Sequence, residues 1–170
     1  MVMKSIIYIL SCFIALQAMG QTPSETNLLD KQGKKVGLWI ENKGNTEAYY
    51  KNGLRDGVFK VYNRKNGKLS ALGEFTEGQK SGTWYYFDES SRLILKECEI
   101  KKNTEYKRVR DDGVEITPKF TSYVWFYYPN GYVKEEGRVL YSEDIEIDYY
   151  KTGTWKYYNK EGSLKEKKEH

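Results

Sequence analysis

Large aromatic residues recur along this chain with strand-like alternation, each preceded by glycine at a fixed offset. In an extended strand, Trp84 and Tyr86 fall on one face while Tyr85 and Phe87 fall on the other; Trp125/Tyr127 and Trp155/Tyr157 repeat the arrangement. Gly37, Gly57, Gly82 and Gly153 stand two residues before Trp39, Phe59, Trp84 and Trp155, and Gly33, Gly53 and Gly78 stand four residues earlier still. With Trp125 counted as a fifth anchor, Tyr62, Phe87, Tyr128 and Tyr158 follow three residues after an anchor. A turn and a Gly-x-Leu-like step come next: Gly67-Lys68-Leu69, Ser91-Arg92-Leu93, Gly131-Tyr132-Val133 and Gly162-Ser163-Leu164. Each unit predicts a β-hairpin, because Gly and Asn supply the positive φ that tight turns need. No 3.6-residue periodicity follows a helix cap after residue 21. The fold class is therefore all-β, an antiparallel meander of successive β-hairpin repeats.

The anchors Trp39, Phe59, Trp84, Trp125 and Trp155, with Tyr86, Tyr127 and Tyr157, are expected to form a buried spine, since stacked repeats bury their apolar faces against neighbours. The Gly-x-x-x-Gly stretches are expected to be loops joining one hairpin to the next. Repeat-bearing sequence runs over 31–164, after an N-terminal linker at 21–30 and before a charged, frayed tail at 165–170. Anchor spacings of 20, 25, 41 and 30 residues locate two insertions, near 101–119 and 141–150.

The unit Gly-x-x-x-Gly-x-Trp-x-x-Tyr/Phe…Gly-x-Leu resembles the MORN-variant repeat of bacterial proteins labelled YwqK-type antitoxins. Its clearest copy is GEFTEGQKSGTWYYFDESSRL at 73–93, supported by 53–69 and 152–164. Ser91 replaces the turn glycine, and Lys119 and Tyr123 stand where Trp125 would have its preceding glycines. The resemblance implies a single curved MORN-like sheet used for interaction, and it links such repeats to lipid and protein contacts.

Residues 1–20 carry one positive charge at Lys4, an apolar run from Ser5 to Leu16 and Ala18-Met19-Gly20 before Gln21. That is the layout of a cleaved secretory signal, and the run falls short of the ~20 residues of a bilayer span. No transmembrane segment is expected once the signal is removed. Cys12 follows a loose lipoprotein-like box, but the apolar run continues past it, so it is read as part of the signal core and not as a lipid anchor. The protein is expected to be exported, whether to the periplasm, the cell envelope or the medium. Cys98 then has no internal disulfide partner, and its shared parity with Ile94 and Ile100 predicts a buried thiol.

Composition narrows the chemistry. The chain has 26 aromatic residues and one histidine, His170, which excludes a Ser-His-Asp triad and an HExxH zinc site within it. The formal charge of +4, which loses Lys4 with the signal, is no nucleic-acid footprint. Asp144, Glu146 and Asp148 alternate with apolar residues but lack a glycine turn to wrap a cation, so no metal site is assigned. No catalytic residue and no cofactor are assigned either. Tyr85, Phe87, Phe126, Tyr128 and Tyr158, opposite the expected spine, form the candidate binding face, and Lys101, Lys102, Lys107, Arg108 and Arg110 a candidate basic loop. These features describe a non-catalytic exported repeat protein that binds or scaffolds a protein partner. The alternatives are an antitoxin or immunity-type protein against a secreted toxin, and a module that binds a glycan or an anionic envelope surface through its aromatics.

Overall fold

The computed structural model describes residues 25–109, 113–142 and 149–170. The signal sequence, Cys12, Arg110, Asp144, Glu146 and Asp148 lie outside the described residues. Among the described residues, thirteen strands follow one another: β1 (Leu28–Leu29), β2 (Lys35–Glu41), β3 (Thr46–Lys51), β4 (Leu54–Tyr62), β5 (Leu69–Thr76), β6 (Gln79–Phe87), β7 (Leu93–Lys102), β8 (Arg108–Val109), β9 (Glu115–Ile116), β10 (Phe120–Tyr127), β11 (Val133–Tyr141), β12 (Tyr150–Tyr158) and β13 (Leu164–Glu169). Eleven of them form one antiparallel meander in chain order, with β1 and β13 at its two unjoined edges, while β8 and β9 form a separate small hairpin inside the first insertion. A single 3-10 turn, Asn42–Gly44, is the one helical element among the described residues, and no described helix is long and apolar enough to cross a membrane.

Turn chemistry sets the register. Asn52-Gly53 and Glu77-Gly78 both have positive φ at both residues and close two-residue hairpins between Lys51 and Leu54 and between Thr76 and Gln79. The longer turns at Asp88–Arg92, Tyr128–Tyr132 and Asn159–Ser163 close through matching backbone hydrogen bonds. Neighbouring long turns are also clasped together, Asn66 to the Glu89 carbonyl and Asn130 to the Lys160 carbonyl.

Three expectations are corrected. The second glycine of each Gly-x-x-x-Gly stretch lies inside a strand and not in a loop. Gly82, at φ 64°, occupies a register shift of β6 against β5, where a bulge needs a left-handed residue. The tail is also no frayed end: residues 164–169 pair along β12 as β13, and the backbone of His170 bonds with Gly153 in both directions. Finally, the parity of β7 is reversed. Leu95 and Glu97 are buried and Ile94 is exposed, while a bulge at Glu99 (φ 54°) lets Ile100 pack inward. Cys98 is left half-buried, with burial pushing its thiol up.

The spine face holds two clusters, Ala48, Phe59, Phe75 and Trp84, and Leu95, Val124, Val139, Tyr141 and Trp155, bridged by Tyr86. Gly73 and Gly137 lie directly beneath Trp84 and Trp155, which are 3% and 0% exposed. Each buried indole N–H finds a carbonyl, of Ser81 for Trp84 and Arg138 for Trp155.

Candidate functional site

The spine does not contain Trp125. Measured from the turn, Trp84 and Trp155 stand four residues before Asp88 and Asn159, and four before Tyr128 is Val124, which is fully buried. Val124 is the anchor of its hairpin, so Trp125 and Tyr127 fall on the opposite, open face. Phe126 is the matching correction: it packs against the spine, 6.3 Å from the Trp155 ring, and does not belong with the other candidate residues. Tyr85, Phe87 and Tyr158 keep the open face, and Tyr128 stands at the turn, its hydroxyl donating to the Tyr158 carbonyl. The decisive signal was present in the sequence. Trp84 and Trp155 lie seven residues before Ser91 and Gly162, whereas Trp125 lies six before Gly131 and Val124 seven.

The open face has a repeating design with one departure. In the β4 hairpin, Lys60 and Tyr62 both donate to Glu47, at 2.9 Å each. In the β12 hairpin, Lys156 and Tyr158 donate to Glu136, at 2.9 and 2.8 Å. The same two positions in the hairpins between them hold Tyr85/Phe87 and Trp125/Tyr127, giving an aromatic patch framed by two Lys–Tyr–Glu groups. Lys96 stands between Tyr85 and Trp125 in direct cross-strand register, its ammonium 4.7 Å from the Trp125 ring centroid. Tyr123 lies against the indole at 4.7 Å between centroids, and Glu136 is the direct cross-strand neighbour of Trp125. All of these rings are half-buried, so they are held in place yet reachable. Burial pushes the Glu136 carboxyl up, but the hydrogen bonds from Lys156 and Tyr158 and the Lys156 charge outweigh it and hold the carboxyl below its usual range. Burial, then the Glu136 charge, raises the Tyr127 phenol, so it stays protonated as a hydrogen-bond donor.

The described basic residues of the first insertion are not gathered into one patch. Lys101 and Lys102 are exposed neighbours on β7 and therefore point to opposite faces, Lys107 is paired with Glu115 at 2.7 Å, and Arg108 stacks on Tyr150 at 3.5 Å. Among the described residues, no group of three or more His, Cys, Asp or Glu could hold a metal ion.

No protein-family model matches the chain, and no match to it is found among curated proteins. Its chemistry is read from its own geometry.

That geometry also contains a second cation series, on the spine face. Lys35, Arg55, Lys80 and Lys151 each stand four residues before an anchor and lie 4.2, 4.8, 4.5 and 4.1 Å from the rings of Trp39, Phe59, Trp84 and Trp155. Each has an acidic partner: Glu41 for Lys35 and Arg55, Glu97 for Lys80 and Glu135 for Lys151. These are structural groups, because their ring faces and carboxylates are occupied within the fold. Lys96, with no ion pair among the described residues, is different.

Proposed function

We propose that the chain is a non-catalytic, exported binding module of the MORN-like hairpin type, and that it takes its partner on the open face around Trp125. One observation carries this reading. In the β10 hairpin the tryptophan has left the spine, where valine takes its place, and stands half-exposed between Lys96, Tyr123 and Glu136. A tryptophan at that position adds nothing to the buried clusters, while rigid aromatics with a polar edge are the residues that dominate binding surfaces. The two polar Lys–Tyr–Glu groups on either side act as the rim of such a surface.

The test is affinity capture from envelope extracts, comparing the wild-type chain with Trp125→Ala and Tyr85→Ala variants whose melting temperatures are unchanged. A specific component recovered by the wild type is expected to fall by more than about tenfold with either variant. Equal recovery by all three proteins, or none by the wild type, contradicts the reading.

A further inference from the structure

We infer that the ligand of the open face is an extended anionic polysaccharide, with sugar rings stacked on Tyr85 and Trp125 and an acid group held at Lys96. This rests on the open face being the binding surface and adds the class of ligand.

Tyr85, Lys96, Trp125, Glu136, Lys156 and Lys167 are successive cross-strand partners from β6 to β13, a row of about 24 Å at the usual strand spacing. Three cations stand in it against one carboxylate. Glu136 is engaged by Lys156, and Lys96 has no ion pair among the described residues. Lys156 also faces Lys167 directly across the β12–β13 pair, and like charges in that relation weaken a sheet. Glu169, further along β13 on the same face, accepts from the Thr154 hydroxyl. Beyond the Lys96 contact with the Trp125 ring, the fold gives this surplus of positive charge no counter-charge in the row, whereas an anion lying along the row is stabilised by it. A departure from local pairing rules without a structural benefit is where a functional surface is expected.

Shape decides between ligand classes. Tyr85 and Trp125 stand two strands apart, about 10 Å, with the lysine between them. Flat rings presented on a sheet surface suit flat sugar rings, and the alternation of ring, cation and ring suits a chain that repeats both a ring and an acid. An acidic polypeptide reads a surface through sockets for its side chains or through a free strand edge. The cavities beside Lys107 and Arg108, around Lys101 to Tyr106 and between Lys51 and Glu77 all lie away from this row; of the two sheet edges, β1 lies outside it and β13 carries only its last member, Lys167, three strands from Trp125. Phenols of Tyr127 and Tyr158 and the Glu136–Lys156 pair supply donors and acceptors for sugar hydroxyls on the flank of the row.

The experiment is titration of the full chain with polygalacturonate, a neutral glucan of similar length and polyglutamate, followed calorimetrically at low and moderate salt. Binding is expected for polygalacturonate alone, weakening as salt rises. It is expected to fall about tenfold for Lys96→Gln and for Trp125→Ala, with unchanged melting temperatures, while Lys68→Gln in an exposed turn leaves it intact. Absence of polygalacturonate binding overturns the inference. So does equal binding of polyglutamate, which would assign the face to acidic proteins, or binding indifferent to Trp125→Ala, which would reduce it to loose charge attraction. The capture experiment judges the open face separately: a protein partner lost on Trp125→Ala, with no polygalacturonate binding, keeps that face as the site and discards the polysaccharide.

Discussion

Replacing Glu97 by alanine is expected to destabilise the protein by about 3–5 kcal/mol, a large share of a domain's stability. Glu97 is fully buried, and its Oε2 accepts from Lys80 Nζ at 2.7 Å, Tyr149 at 3.2 Å and Tyr86 at 3.3 Å. Truncation leaves the Lys80 ammonium, whose side chain is 4% exposed, without its counter-charge, and two partly buried phenols without their acceptor. Burial, then the Glu97 charge, holds both phenols far above the ordinary tyrosine range, so in the wild type both donate to Glu97, and the Tyr86 oxygen also accepts from Lys80 Nζ at 2.8 Å. The Tyr149 bond reaches across 52 residues of sequence and ties the second half of the sheet to the first. Urea denaturation measures the loss. The double variant Lys80→Met, Glu97→Leu is expected to recover most of it, because removing both charges removes the unpaired one. A loss below about 1 kcal/mol for Glu97→Ala would mean that the group is solvated and contributes like a surface pair.

The second large effect is steric. A Cβ on Gly73 would lie 2.1, 2.3 and 2.6 Å from three ring atoms of Trp84, and one on Gly137 would lie 2.5 Å from the Trp155 ring. Neither indole has room to retreat. Trp84 is wedged between Phe59 and Phe75 at 5.7 and 5.2 Å, beneath the Lys80 ammonium, and Trp155 lies 6.3 Å from Phe126 and 4.1 Å from the Lys151 ammonium. Gly73→Ala and Gly137→Ala should therefore each cost about 3 kcal/mol, the upper end for overpacking, although alanine suits a strand no worse than glycine does. Thermal unfolding checks this, with a built-in control. Trp84→Val makes the β6 hairpin like the one anchored by Val124, so Gly73→Ala should be nearly free of cost in that background. A neutral Gly73→Ala in the wild-type background would show that the ring is not seated on the glycine.

Much of this scaffold is legible in the sequence because hairpin turns and pleat alternation leave marks at fixed intervals. Glycine two residues before an aromatic, and a turn residue seven or eight after it, locate the hairpins anchored by Phe59, Trp84 and Trp155. Trp125 misled because the eye follows the largest side chain, whereas the pleat follows the distance to the turn. β13 was hidden for a different reason. Leu164–Glu169 has every side chain exposed and is held through backbone pairing to β12, so it carries no apolar alternation. The spine cations were hidden by their charge. Lys35, Arg55, Lys80 and Lys151 recur two residues before each glycine, as regularly as the anchors do, but a lysine reads as solvent-facing unless its stem and ammonium are seen lying over an indole.

The partition of the sheet into a closed spine and an open receptor face stands or falls with the four tryptophans. Fluorine NMR of the chain labelled with 5-fluorotryptophan, in the presence of a soluble paramagnetic relaxation agent, reads all four at once, with resonances assigned from single Trp→Phe variants. The resonances of Trp84 and Trp155 are expected to stay sharp, while that of Trp125 broadens with added agent. Broadening of Trp84 and Trp155 with Trp125 protected would put the spine on the other face and contradict the account.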